Sequence, residues 1–358
     1  MVSHSQNLTN NIFLLNPFKR HPGMICLCGH AIAESILTKV DRQTRKLAYK
    51  TWLDFSTRQL DERIHSYLTF RRMVDSLQSE EATDAVTLLR SDFIGFLGDV
   101  YIDDDKEIKQ ADFLTAEGVL LKPEIDENRY RMASALVDSF IRRHVIPQKY
   151  PNAPSTPIPK HYRTGRLDIL EILKESLKFF DKGLIELAEL RSYKTPSVRV
   201  DCNRNTQVPR ESVYDTELMR ILMNWLGGLE KYRVTGQWHL RSDDGIDKYS
   251  YIVIDKPKKA TVILELLATG NSSFIKKHID KVPYYKNLLV AEESWVVHFT
   301  REDGYLGHPN WQSDDQINEG VNVVHFWHDK NFKTVRMSAR WKDVEGNIQK
   351  MDDQQLVH

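Results

Sequence analysis

The stretch VILELLATGNSSFIKKHIDKVPYYKNLLVAEESWVVHF, residues 262–299, constrains the fold more than any other part of the chain. Two apolar runs, at 262–268 and 295–299, flank a segment whose apolar residues recur at helical spacing. Both runs are apolar almost without alternation, which is typical of parallel strands that are covered on both faces. The stretch therefore predicts a strand, a crossover helix and a second strand parallel to the first.

One acidic residue, Glu265, interrupts the first run between Leu264 and Leu266. An isolated ionised carboxylate inside a sheet is costly unless a metal ion, a cation or hydrogen-bond donors meet it. Side chains two apart on a strand share a face, so Glu265 is predicted to point with Ile263 and Leu267. The position therefore predicts either a metal site or a structural ion pair, with Lys281 or His278 as the partner.

The composition excludes several classes of protein. The chain has 358 residues, with 50 Lys and Arg against 50 Asp and Glu, so contact with nucleic acid requires a local basic patch. Three cysteines are too few for a disulfide scaffold, which favours a reducing, intracellular environment. No run approaches the roughly 18 apolar residues of a membrane helix, and the first residues lack a basic lead. We therefore expect no signal peptide and no membrane contact.

The first 79 residues are predicted to be mainly helical. The short apolar segment 21–32 has Pro22 near its start and Gly29 near its end, which favours a buried strand or turn. From residue 33 to about residue 77, apolar residues recur every three to five positions. This spacing predicts two or three packed helices.

Residues 80–150 are predicted to form a second unit. Apolar runs at 119–122 and 129–133 predict a β-hairpin, and Ser134 is the expected N-cap of a following helix. Helices around a hairpin resemble a winged-helix module, a class that often contacts DNA. The wing, however, carries the acidic residues Glu124, Asp126 and Glu127. Because acidic residues repel phosphate groups, a spacer that contacts protein and not DNA is equally favoured. Four prolines within residues 151–165 then predict a stiff linker and a domain boundary.

Residues 166–358 are predicted to carry the functional site. An amphipathic helix is expected at 166–180, and Ser212 is expected to cap a second helix that ends near Gly227. Glu217 lies at the edge of that helix's apolar stripe. Strands are predicted at 232–240 and 249–254, and a closing pair at 321–327 and 335–341. The expected order is helix, three strands, helix, strand and two further strands.

This order, with a glutamate on a helix before the strands and an acidic residue in the third strand, resembles the PD-(D/E)XK, or restriction-endonuclease-like, fold. The runs VILELLAT, VVHF and VVHFWHD…VRMSARW are similar to the C-terminal nuclease-like domains of Crinkler-type effector proteins. In that family the domain follows a P-loop ATPase and a winged-helix-like linker, so residues 21–77 resemble the ATPase tail. The chain has no Gly-x-x-x-x-Gly-Lys-Ser/Thr, and ATP hydrolysis is not expected. The implied fold class is α/β, with a C-terminal mixed sheet flanked by helices and a mainly α N-terminal half.

The resemblance implies hydrolysis of DNA phosphodiesters that depends on Mg²⁺ or Mn²⁺, in which carboxylates hold the metal and a lysine orients the nucleophile. Glu265 matches the acidic residue of the family's motif, and Glu217 matches the helix carboxylate. Asp255, expected in a turn after the second strand, is the remaining candidate metal ligand. The motif is degraded, since Leu267 replaces the lysine and Tyr251 replaces the second-strand aspartate.

A cation from the predicted helix could replace the missing lysine. Lys281 is the first candidate because it forms an i, i+4 pair with Tyr285, like the polar-x-x-x-Tyr signature of related nucleases. Lys276 and Lys277 fit a solvated helix face, with Lys277 as a second substitute. His278 lies on the apolar stripe and fits a core histidine or a site residue equally well.

The degraded motif leaves two other functions open. One is a catalytically inactive nuclease fold that binds nucleic acid or a host protein, and the other is a chain whose winged-helix-like unit contacts a separate ATPase. Effector resemblance also implies delivery into a host cell, to its cytoplasm or nucleus. Four histidines could suggest zinc but are expected to be packed core residues; they are His298, His308, His325 and His328.

Overall fold

The computed structural model of the chain describes residues 22–48, 51–52, 55, 59–123, 128–236, 240–241, 248–249 and 251–356. It divides into two compact units, Met1–Lys149 and Tyr150–His358. The first unit is mainly helical and the second is mixed α/β, as the expected fold class requires. None of the helices in these ranges is long and apolar enough to cross a membrane.

The N-terminal unit consists of short helices and a small sheet. Its helices are α1 (Pro22–Ser35), α2 (Leu60–Ser66), α3 (Leu68–Gln78), α4 (Thr83–Leu88), α5 (Asp105–Ala116), α6 (Ala135–His144) and α7 (Ile146–Lys149). Its strands are β1 (Val100–Tyr101), β2 (Leu120–Leu121) and β3 (Arg129–Met132), with β3 in the centre of an antiparallel sheet. The predicted hairpin and cap are confirmed, because β2 pairs with β3 and the Ser134 hydroxyl accepts a hydrogen bond from the backbone of Val137. The wing residues Glu124, Asp126 and Glu127 lie outside the described residues.

Helix α1 shows that the strand or turn predicted at 21–32 is wrong. Pro22 occupies the first turn, where a missing N–H costs no helical hydrogen bond. Cys28, Ala31 and Ser35 are buried at helical spacing, and Gly29 lies within the helix instead of ending the segment. A continuous apolar run does not distinguish a buried strand from a buried helix, and here the helix is formed.

The C-terminal unit contains the large sheet and its flanking helices. The helices are α8 (Ile169–Leu177), α9 (Lys182–Ala188), α10 (Glu211–Leu222), α11 (Gly228–Glu230), α12 (Ser272–Leu288) and α13 (Asp314–Asn318). The strands are β4 (Tyr193–Lys194), β5 (Arg199–Val200), β6 (Asn203–Arg204), β7 (Val208–Pro209), β8 (Arg233–Thr235), β9 (Leu240–Arg241), β10 (Lys248–Tyr249), β11 (Tyr251–Asp255), β12 (Val262–Leu267), β13 (Glu293–Thr300), β14 (Val321–His328), β15 (Val335–Lys342) and β16 (Ile348–Leu356). The N-cap of α10 is Arg210 and not Ser212, because β7 ends at Pro209 and the helix begins directly after it.

Seven strands form one mixed sheet with the order β16-β15-β14-β13-β12-β11-β8. β12, β13 and β14 run parallel, and the other neighbouring strands are antiparallel. The parallel pairing of β12 with β13 across α12 confirms the strand, crossover helix and strand predicted for 262–299. β14 and β15 confirm the closing pair, whereas β16 was not predicted.

The two faces of this sheet pack against different helices. Val262, Leu264 and Leu266 belong to the main core, which includes residues of α8, α9 and α10. Ile263 and Leu267 face the other way and pack in clusters with residues of α12. Glu265 lies on this second face, as the strand alternation predicts, so α12 is the element positioned to meet its side chain.

Candidate functional site

Glu265 is held inside the sheet by one residue of the helix that covers it. Its side chain is 1% exposed, and its Oε1 lies 2.6 Å from Nδ1 of His278 in α12. The helix presents His278 to the sheet because its apolar neighbours Ile275, Ile279 and Val282 are buried on the same face. The His278 side chain is 12% exposed, so the pair reaches the surface only through the imidazole.

Tyr251 lies directly opposite Glu265 in the β11–β12 ladder, and its ring centroid is 5.2 Å from that of Tyr285 in α12. Burial is the strongest influence on Glu265 and raises the pKa of its carboxyl. The hydrogen bond and charge of His278, followed by the Tyr251 hydroxyl, lower this pKa without cancelling the rise. Within the described ranges, Oε2 of Glu265 meets no donor at ordinary hydrogen-bond geometry. Burial in this site therefore disfavours the charged form of Glu265 relative to an exposed glutamate.

Asp255 is not in a turn, as the sequence suggested, but is the last residue of β11. Its Oδ1 accepts hydrogen bonds from Nε and Nη2 of Arg233 at 3.0 and 2.7 Å. Tyr251 is four residues away along the strand, which corresponds to roughly 13 Å at the usual rise of about 3.3 Å per residue. Since Tyr251 is the residue opposite Glu265, the structure does not bring Asp255 and Glu265 into one metal site.

Glu217 lies on the other side of the sheet, in α10, and is fully buried. Its Oε1 accepts from Nε of Arg220 at 3.0 Å. Its Oε2 accepts from Nη2 of Arg220 at 2.6 Å and from the backbone N–H of Asp181 at 2.8 Å. Both oxygens are therefore used in a structural ion pair, away from Glu265.

The lysines of α12 lie outside the pair. Lys276 and Lys277 are exposed, and Lys281 is half-buried. Lys281 makes no hydrogen bond or ion pair with any residue that the structure describes, although Tyr285, its i+4 neighbour, is buried beside Tyr251. The partner of Glu265 is therefore the histidine, which the sequence offered as an alternative to Lys281.

Sequence reasoning missed two residues that lie next to the pair. Nζ of Lys194 lies 2.8 Å from Oε1 of Glu211 and 5.1 Å from the ring centroid of Phe274. The Phe274 ring lies 4.5 Å from the ring of His278, and the charge of Glu211 raises the pKa of Glu265. Lys194 and Glu211 therefore form the exposed side of the site, beyond the carboxyl end of β12.

Three of the four histidines predicted to be packed are buried, and they are divided between the two faces of the sheet, whereas the prediction is wrong for His308, which is exposed. On the face of α12, Nδ1 of His298 lies 3.1 Å from Nδ1 of His325, whose Nε2 donates to the carbonyl of Asn310. Burial lowers the pKa of His325 to about 4 and that of His298 well below its ordinary range. His328 lies against α10 and accepts a hydrogen bond from the hydroxyl of Tyr214 at 2.7 Å. His298, His325 and His328 are therefore packed core histidines.

The residues present do not fit the Mg²⁺ or Mn²⁺ site that the nuclease resemblance implies. No group of three or more His, Cys, Asp or Glu side chains is arranged to hold a metal ion in the parts of the chain that the structure describes. Asp255 and Glu217 are each paired with an arginine, and Glu265 is closed off by His278. An ion would have to displace these partners before it could bind.

A scan against protein-family models and a search of curated proteins returned no match for this chain.

Proposed function

We propose that the C-terminal unit is a nuclease-type domain, of the kind found in Crinkler-like effectors, that binds DNA without cleaving it. The main observation behind this proposal is that Glu265 is buried and hydrogen-bonded to His278. A carboxyl group that is 1% exposed, hydrogen-bonded to His278 and raised in pKa is a poor ligand for a hydrated divalent cation. Mg²⁺-dependent hydrolysis is the competing hypothesis.

The order and pairing of the elements support the nuclease-type assignment. Helix α10 precedes an antiparallel meander of β8, β11 and β12, and α12 then crosses over to the parallel strand β13. This is the helix, three strands, helix, strand order expected of a restriction-endonuclease-like domain. The likeness concerns architecture, and function is argued from the site.

The exposed surface of α12 supports a role in binding phosphate groups. Lys276 and Lys277 lie in the first half of this helix and point to solvent, and Lys194 lies over the ring of Phe274 in its first turn. The amino-terminal end of a 17-residue helix adds the positive end of the helix dipole. Because Glu211 neutralises part of the charge of Lys194, the two helix lysines are expected to contribute most.

The proposal is tested by fluorescence anisotropy with labelled single-stranded and double-stranded DNA, titrated with the full chain at several salt concentrations. In the Lys276→Ala, Lys277→Ala double variant, we expect weaker binding to every sequence. The slope of log K against log salt should fall in magnitude by about 2, since each phosphate contact contributes about 0.9.

The matched control is the double variant Lys258→Ala, Lys350→Ala, which removes the same charge from exposed positions elsewhere on the sheet. Lys258 lies in the turn before β12 and Lys350 in the edge strand β16. Equal loss of affinity in both double variants would show a diffuse charge effect and remove α12 as the DNA-binding surface. An absence of binding by the wild-type chain at low salt would contradict the proposal itself.

A further inference from the structure

A pocket opens on the sheet face opposite to Glu265, where β12 and β13 begin. It spans about 350 Å³ including open solvent, and its lining includes Arg166, Leu167, Lys259, Val262 and Glu293. Val262 and Glu293 are the first residues of their strands, so the pocket lies at the amino ends of the parallel strands. The site built around His278 and Lys194 lies beyond the opposite, carboxyl end of β12.

Glu293 gives this pocket an acidic wall with a free oxygen. Its Oε1 accepts a hydrogen bond from Nε1 of Trp295 at 2.6 Å, which fixes the orientation of the carboxyl group. Its Oε2 makes no hydrogen bond with any residue in the described ranges, although the group lies deep enough that burial raises its pKa. An oxygen in this state favours a ligand that brings its own N–H donor or positive charge.

Two cations stand at the same pocket. The charges of His161 and then of Arg166 lower the pKa of Glu293. Nη2 of Arg166 pairs with Glu292 at 2.7 Å, which leaves the other N–H donors of Arg166 available. Lys259 is exposed and, among the residues that the structure describes, makes no ion pair. The pocket therefore presents one acid and two cations to the same ligand.

The remaining walls are apolar and the space is small. Leu167, Val262 and Tyr232 are buried and line the pocket with hydrocarbon and ring surface. The volume of about 350 Å³ includes open solvent, so the enclosed part of the pocket is smaller than this. This size excludes a dinucleotide and suits a ligand of a few heavy atoms.

We propose that this pocket binds a small zwitterion, of the size and charge of a free α-amino acid with a short apolar side chain. The ammonium group would donate to Oε2 of Glu293, and the carboxylate would lie between Arg166 and Lys259. A simple anion would be repelled by the carboxylate of Glu293, and a simple cation would be repelled by the two basic side chains. A zwitterion satisfies both sets of groups, and Leu167 and Val262 contact its side chain.

The test is isothermal titration calorimetry of the full chain with glycine, L-alanine and L-leucine, and with acetate and methylammonium chloride as half-ligands. We expect saturable binding of the amino acids at millimolar concentration, tighter for L-alanine than for glycine, and no measurable binding of either half-ligand. Glu293→Gln keeps an acceptor for Trp295 but removes the charge, and it should weaken binding by about tenfold. Lys259→Ala should weaken binding to a similar degree.

Lys258→Ala is the matched control, since Lys258 is the exposed neighbour of Lys259 and does not line the pocket. Its affinity for the amino acids should equal that of the wild type. Three results would overturn the proposal: no binding of any amino acid by the wild type, equal binding by wild type and Glu293→Gln, or binding of acetate as tight as that of glycine.

Discussion

Nδ1 of His278 lies 2.6 Å from Oε1 of Glu265, so the acid inside β12 is held by the helix that covers it. The histidine is thirteen residues further along the chain, and the turn between β12 and α12 brings the two together. The pair attaches α12 to the sheet at the position where the proposed likeness to nuclease domains would put a metal ligand.

Replacing His278 should destabilise the C-terminal unit. His278→Ala leaves a buried carboxyl group without its partner, and we expect the free energy of unfolding to fall by about 2 kcal/mol. Urea unfolding followed by tryptophan fluorescence measures this, because six of the seven tryptophans follow residue 150. Lys281→Ala, one turn further along α12, should change stability by less than about 0.5 kcal/mol. Equal effects of the two substitutions would contradict the assigned partner.

The raised pKa of Glu265 predicts a pH dependence of known sign. Burial raises this pKa above its ordinary value of 4.5, so the folded state binds the proton more tightly than the unfolded state. The stabilising contribution is therefore complete below pH 4.5 and is lost as the pH rises through the folded-state pKa. Relative to Glu265→Gln, the wild type should lose stability as the pH rises above 4.5, as measured by urea midpoints. A relative gain over that range would refute the assignment of a buried acid.

The buried histidine pair predicts acid sensitivity of the opposite sign. Burial lowers the pKa of His325 from 6.5 to about 4, so its contribution to stability is complete above pH 6.5 and is lost as the pH falls towards 4. A shift of this size corresponds to roughly 3 kcal/mol for His325. His325→Gln can still donate to Asn310 and should reduce the loss of stability between pH 7 and pH 5, measured by urea unfolding. If His325→Gln loses as much stability between pH 7 and pH 5 as the wild type does, other groups cause the acid sensitivity.

Arg220 is predicted to be the more critical member of the ion pair in α10. It donates hydrogen bonds to Glu217 and to the backbone carbonyls of Asn152 and Phe179. Both bonds to the carbonyls are 2.7 Å long. Arg220→Met should lower the free energy of unfolding by about 3–5 kcal/mol because it leaves the Glu217 charge buried and unpaired. Glu217→Gln keeps one acceptor oxygen and turns an NH2 donor toward the N–H groups of Arg220 or Asp181. Because the carbonyls of Asn152 and Phe179 still accept from Arg220, it should cost less than Arg220→Met, about 2 kcal/mol. DNA binding by folded Glu217→Gln should equal that of the wild type. A loss of binding without a loss of folding would show that Glu217 belongs to the functional site.

The sequence was most informative where one pattern determined both local structure and packing. The unbroken apolar runs of 262–268 and 295–299 required buried parallel strands, and the alternation along β12 placed Glu265 on the face of Ile263 and Leu267. His278 was one of two expected partners because it lies on the apolar stripe of its helix. The edge strand β16 was missed because an exposed edge requires little apolar pattern, and its residues are mostly polar.

The positions of Lys194 and Glu211 beside the Glu265–His278 pair depend on strand pairings that no local sequence pattern predicts. β4 and β7 are two-residue strands, and their pairing places Lys194 opposite Val208, three residues before Glu211. Nothing in the alternation or charge of so short a strand predicts this contact. Asp255 was misplaced for a related reason, because the register of β8 and β11 sets it opposite Arg233 and keeps it in the sheet.

The most direct test of the closed site is a cleavage assay with single-stranded, double-stranded and supercoiled DNA in the presence of Mg²⁺ or Mn²⁺, using the folded full chain. We expect the wild type to cleave no faster than Glu265→Gln, because His278 and burial keep Glu265 from binding a metal ion. Cleavage by the wild type that disappears in a folded Glu265→Gln variant would contradict this and establish Glu265 as a catalytic metal ligand.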